Sequence, residues 1–91
     1  MVDELTSLPN IGPVLAQKLR QAGIESYGDL ADLGSVEAYL RIWDHDGFIG
    51  YNMLYALEGA IERVRWHDLS VNHREAVKAE LLAAIEADQD R

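Results

Sequence analysis

The stretch "LPNIGPVLAQKLRQAGI", residues 8–24, decides how the chain begins to fold. Pro9 disfavours helix at Leu8, so the backbone must turn there. Pro13 opens a helix at the position where a missing N–H costs nothing. Leu15, Ala16, Leu19 and Ala22 recur at helical spacing and form its apolar face. Gly23 comes next as a good C′ residue, because left-handed geometry carries no steric penalty for glycine. Between a short first element at residues 3–7 and this helix lies the turn Pro-Asn-Ile-Gly-Pro. Gly12 is expected to let that turn close tightly, and Ile11 to tuck into the core.

Helical signals continue in both directions from the turn, and no run of alternating β-branched residues reads as a strand. Ser26 and Asp29 fit the start of a third helix, with Leu30 and Leu33 inward. Gly34 breaks the chain, and Ser35 is expected to cap a fourth helix to about Trp43, with Val36, Tyr39, Leu40 and Trp43 at helical spacing. "DHDGFIG", residues 44–50, is a polar loop. The fifth helix, residues 51–64, carries the cleanest stripe: Met53, Leu54, Leu57, Ala60, Ile61 and Val64. After a connection at residues 66–69, Ser70 caps a last helix to about Ala87, with Val77, Leu81, Ala84 and Ile85 inward. Asp88 and Asp90 should fray its end, where the dipole disfavours carboxylates. The expected fold is all-α: a single-domain bundle of five to six helices over residues 1–91.

Composition narrows the function. A chain of 91 residues has room for one small core and little for a deep catalytic pocket. It contains no cysteine, which excludes disulfides and thiolate metal sites. No signal peptide and no membrane-spanning run is visible, so a cytoplasmic location is expected. Acidic residues outnumber basic ones 16 to 8, giving a net charge of -8. Such a surface repels phosphate backbones at long range. The basic pairs are sparse: Lys18 with Arg20, Arg63 with Arg65, Arg74 with Lys78.

No catalytic constellation emerges. Ser26, Ser35 and Ser70 each precede an apolar-periodic run, so capping explains them. The three histidines form no metal-binding pair along a helix, and "DHD" at residues 44–46 reads as a solvated turn. Glu58 and Glu62 share one helix face and repel each other, with Arg65 three residues on as partial compensation. No phosphate-cradling glycine loop is present. The protein is therefore expected to be no enzyme, and to use no cofactor or metal. All seven aromatic residues lie between positions 27 and 66. Tyr51 and Tyr55 fall on the flank of the fifth helix's stripe and, with Phe48, are the candidate protein-interaction face.

Two resemblances sharpen this reading. The pattern apolar-Pro-x-apolar-Gly-Pro, a helix, Ala-Gly-Ile and a Ser-capped helix, over residues 5–33, resembles a helix-hairpin-helix motif of SAM-like type. That resemblance implies an anion site at the free N–H groups near Gly12, Val14 and Leu15. The candidate phosphate contacts are then Asn10, Ile11, Gly12, Val14 and Lys18. DNA-binding members carry a cation just after the hairpin; Val14 stands there in this chain, which disfavours phosphate contact. The longer run "LTSLPNIGPVLAQKLRQAGI", with "DLADLGSVEAYLRI" and "NMLYALEGAIERVRWHDLS", resembles the C-terminal domain of the TfoX/Sxy competence-regulator family over residues 5–85. The Asn-x-Leu-Tyr-Ala-Leu-Glu-Gly-Ala stretch is its most specific part. Two-domain bacterial members of that family are transcriptional co-activators of competence genes and add an N-terminal α/β domain, which is expected to be absent here. The resemblance implies a regulatory module that binds a protein partner, as a monomer or homodimer. The alternative is weak, non-sequence-specific DNA binding through the turn.

Overall fold

The computed structural model describes residues 4–89, with side chains through Ala87. The expectations placed on Asp3, on the Asp88 side chain and on Asp90 lie outside the described residues. A 3-10 turn at Leu5–Ser7 precedes four α-helices: α1 Pro13–Gln21, α2 Tyr27–Asp46, α3 Tyr51–Glu62 and α4 Val71–Gln89. A second 3-10 turn, Trp66–Asp68, links α3 to α4. The described residues form no strand, and the fold is all-α. Among the described residues four helical runs stand where five to six helices were expected. The first element is only a 3-10 turn, and Gly34, expected to break the chain, holds a non-helical conformation that divides α2 into two helical segments at a kink.

The kink has a clear origin. Gly34 sits at φ 83° and ψ 163°, a conformation that L side chains rarely adopt. Ser35, Ala38, Tyr39 and Ile42 are buried, while Val36, Leu40 and Trp43 pack at the core's edge. The inward face is thus displaced by one residue from the expected Val36, Tyr39, Leu40, Trp43 stripe. Small Ser35 and Ala38 face inward, and α2 and α3 share the largest interface in the fold.

Helix ends obey local chemistry. Ser26 Oγ accepts from the Asp29 N–H at 3.0 Å, and Ser70 Oγ from the His73 N–H at 3.0 Å. Both caps therefore stand as expected. At the end of α1 the Ile24 N–H reaches Leu19 O at 2.9 Å and the Gly23 N–H reaches Arg20 O at 3.0 Å. With Gly23 at φ 85°, this is a Schellman motif. The same motif ends α3, but with Arg63 in the left-handed position at φ 62°. That turn stops the helix at Glu62, so Val64, expected inward, is exposed.

The core is built on α3. Leu54, Leu57 and Ala60 are fully buried, and they meet Leu5, Leu15, Leu19, Ile24, Leu30, Tyr39, Ile42 and Leu81. Val77 and Leu81 anchor α4, with Ile85 packed at the core's edge.

Candidate functional site

Three places gather polar and aromatic groups: the turn at residues 8–12, the aromatic end of α2 and α3, and a polar cluster between α3 and α4.

In the turn, the residue that takes left-handed geometry is Asn10, at φ 70°. Gly12, expected to close the hairpin, is extended at φ -93° and ψ -177°, which any residue can adopt. Asparagine tolerates the left-handed region because its short amide can bond to nearby backbone. Here that amide reaches across the fold. Asn10 Nδ2 donates to Val64 O at 2.9 Å and Ala56 O at 3.3 Å, and Oδ1 accepts from the Trp66 N–H at 3.1 Å. One side chain thus ties the turn to the end of α3. Gly59 makes the room for it. A Cβ at Gly59 would lie 2.6 Å from Asn10 Nδ2 and 2.8 Å from Val64 O.

The other turn residues are dispersed. Ile11 is buried in the core, as expected. Val14 is 67% exposed just past the hairpin. Gly12, the N-cap of α1, provides no side-chain cap, so the first turn of α1 carries backbone N–H groups with no such partner. Lys18 Nζ is engaged with Asp46 Oδ2 at 2.6 Å, which draws that cation toward the end of α2.

The aromatic end is continuous. Tyr39, Trp43, Phe48 and Tyr51 succeed one another in edge-to-face contacts, with ring centroids 5.8, 5.4 and 5.4 Å apart. Tyr39 is fully buried, and its hydroxyl makes no aligned hydrogen bond. Burial pushes that hydroxyl above the ordinary tyrosine range; its proximity to the Ile49 and Gly50 backbone offsets part of the effect. At the other end of the run Phe48 is 56% exposed. Tyr55 is separate from this run, its ring facing Trp66 at 6.0 Å, and Trp66 stacks on His67 at 4.0 Å. Cations from α4 cover both groups: Lys78 Nζ lies 4.6 Å from the Tyr51 ring and the Arg74 guanidinium 5.8 Å from Trp66. An open depression beside them is lined by Tyr55, Val71, Arg74 and Glu75.

The third place is one that the sequence does not single out. Ser35 does not cap a helix. It is buried, and its hydroxyl donates to Glu58 Oε1 at 2.9 Å. The other oxygen of Glu58 lies 2.6 Å from His73 Nε2. Glu62, one turn along α3, completes a group whose ligand atoms all lie within 4.8 Å of one another. Arg65, expected to compensate Glu62, lies beyond the left-handed turn at Arg63, which ends the helical spacing between them. The "DHD" residues stay apart: Asp44 and His45 are exposed, and Asp46 pairs with Lys18. In sequence, Glu58 and Glu62 are legible as helix neighbours. Their meeting with His73 depends on how α4 packs.

Among the described residues, no helix is long and apolar enough to cross a membrane. No curated protein matches the chain. Solved structures do, two of them from Listeria monocytogenes. One is an uncharacterised protein from Listeria monocytogenes in a triclinic form, 49% identical, with a TM-score of 0.79 over 81% of this chain and 84% of that one. The other is a protein of unknown function from Listeria monocytogenes in a tetragonal form, 48% identical, with a TM-score of 0.75 over 91% of this chain and 98% of that one. The model of the TfoX C-terminal domain matches residues 1–81. That match spans the Asn10 turn and all of α3, and the chain belongs to the TfoX C-terminal domain family.

Proposed function

We propose that this domain is a non-enzymatic, regulatory protein-interaction module of the bacterial cytoplasm, with a role in transcriptional or competence control. Family membership supports the regulatory part. The observation that carries the interaction reading is Phe48. It is 56% exposed, yet it is held between Trp43 and Tyr51 in edge-to-face contact. A large apolar ring fixed in place and left in solvent loses little conformational entropy on binding, which makes it a suitable anchor. Lys78 lies over the neighbouring Tyr51 ring, so this face offers positive charge on a chain of net charge -8. The partner that suits it is a protein segment with apolar side chains next to carboxylates; a second copy of the chain, giving a homodimer, is the simplest case.

The test is capture of partners with the wild type, Phe48→Ala and Tyr55→Ala, together with sedimentation of each. Loss of the captured protein, or of self-association, in Phe48→Ala supports the reading. Full retention in both variants sinks it.

A second reading has one observation in its favour. The first turn of α1 lacks a side-chain cap, which suits a phosphate at its N–H groups. Engagement of Lys18 by Asp46, and Val14 at the mouth of the turn, count against it. Fluorescence anisotropy with labelled duplex and single-stranded DNA, at roughly 50 and 150 mM salt, separates the two readings. Salt-sensitive binding favours the turn, and no binding at either salt discards it.

A further inference from the structure

We propose that Glu58, Glu62 and His73 form a binding site for a divalent cation of borderline character, Zn2+ in the first instance. The ligand set is mixed: two carboxylates one helical turn apart on α3, and an imidazole from the first turn of α4. Imidazole nitrogen with carboxylate oxygen suits Zn2+ rather than Ca2+ or Mg2+, which prefer oxygen alone.

The geometry is close to what such an ion needs. Ligand atoms around a tetrahedral Zn2+ stand roughly 3.4 Å apart at bond lengths near 2.0–2.1 Å. In this protein they lie within 4.8 Å of one another, and Glu58 Oε2 is 2.6 Å from His73 Nε2. An ion would take the place of the hydrogen bond between those two atoms. Glu58 Oε2 and His73 Nε2 would part by about 0.8 Å to admit it, and Glu62, exposed at the last position of α3, would close in.

Three further features support the site. Glu58 is held by the buried Ser35 hydroxyl through Oε1, leaving Oε2 for the ion; a hydrogen bond of this kind orients metal-ligating carboxylates. Glu62 has no hydrogen-bond or ion-pair partner among the described residues, so a negative charge next to Glu58 stands uncompensated. The cations adjacent in sequence lie over rings, Arg63 beside Glu62 over Tyr27 at 4.4 Å and Arg74 beside His73 over Trp66 at 5.8 Å. Three protein ligands leave the remaining coordination to water or to a ligand supplied by a partner. The ion would join α3 to α4 beside Tyr55 and Arg74.

The experiment is calorimetric titration of the tag-free full chain with ZnCl2, with imidazole resonances tracked by NMR. One Zn2+ per chain is expected, with the His73 ring shifting and the His45 ring unmoved. His73→Gln, which keeps a hydrogen-bond donor toward Glu58, and Glu62→Gln, which alters an exposed and unpartnered group, should each weaken binding by at least about tenfold. Ser35→Ala should weaken it severalfold, as a positioning residue, and His45→Ala should leave it unchanged. Absence of one-site binding up to about 1 mM Zn2+ overturns the proposal. So does binding that survives both His73→Gln and Glu62→Gln, or that depends on His45 instead. Glu62→Gln tests the site even if His73→Gln disturbs the packing of α4.

Discussion

The turn at residues 8–12 and the loop at residues 47–50, at the aromatic end, are both irregular segments flanked by helical turns, and they use their side chains in opposite ways. In the turn, the one polar side chain that suggests a ligand contact, Asn10, is fully engaged within the fold, bonded to Ala56, Val64 and Trp66. At the aromatic end, Phe48 is fixed by its neighbours and still faces solvent. A motif known for binding can therefore be a structural tie, and a polar-looking loop can present the anchor. The difference lies in whether a side chain's bonding capacity is met inside the protein, and spacing along the chain does not reveal that.

Both regions hang on α3, so the largest expected effect comes from its core. Leu57→Ala should cost about 2–5 kcal/mol in urea unfolding, because it empties a fully buried site. A cost below about 0.5 kcal/mol would contradict the packing described for α3. Next comes the tie itself. Asn10→Ala should cost about 1.5–3 kcal/mol, since it strands the Trp66 N–H and Val64 carbonyl and puts alanine at φ 70°. Gly59→Ala should cost about 1–3 kcal/mol by pressing a methyl onto that amide. In a double-mutant cycle the Gly59→Ala cost should shrink in the Asn10→Ala background without vanishing, because Val64 O still lies 2.8 Å away. Full additivity would break the link drawn between these two residues.

The aromatic end should behave in the reverse manner. Phe48→Ala should cost about 1 kcal/mol, the lower end for two edge-to-face contacts because the ring is exposed, while removing partner binding. A larger loss of stability would place Phe48 with the structural ties and not with the anchors. Tyr39→Phe carries the smallest expected change, within about 0.5 kcal/mol near neutral pH, because it deletes a buried hydroxyl with no aligned partner. The sign of its pH dependence is definite. A tyrosine whose folded pKa is raised keeps its proton in the folded chain after the unfolded chain has lost it. Tyr39 therefore draws stability down as pH rises past about 10, and Tyr39→Phe should remove that part of the alkaline loss in pH-dependent urea unfolding.

Much of the fold is legible in the sequence. Pro13 and Gly23 bound α1, and Ser26 and Ser70 cap α2 and α4, because caps are short-range hydrogen bonds between neighbours in sequence. The α3 stripe through Leu54, Leu57 and Ala60 is equally local, since helical spacing alone places those residues on one face. Where structure and expectation part, a longer-range event or an unusual backbone intervenes. Ser35 has the sequence context of a cap and is instead a buried donor to Glu58, 23 residues on. The inward face of α2 beyond Gly34 is moved by one residue, with Ser35 turned inward to bond Glu58 on α3. Val64 falls outside because Arg63 takes a left-handed turn that a search for glycine does not flag.

The sequence by itself determined that this chain is helical, where most of its helices begin and end, which residues of α3 form the core, and which family it belongs to. Those properties rest on periodicity, on capping and on motifs a few residues long. Only the tertiary structure decided that Asn10 is a tie across 46 to 56 residues of chain, that Phe48 is exposed while Tyr55 faces Trp66, and that His73 meets Glu58 and Glu62. The physical reason is common to all three. The partners of those side chains lie on other elements of the fold, and they come within bonding distance only once the core has fixed the helices against one another.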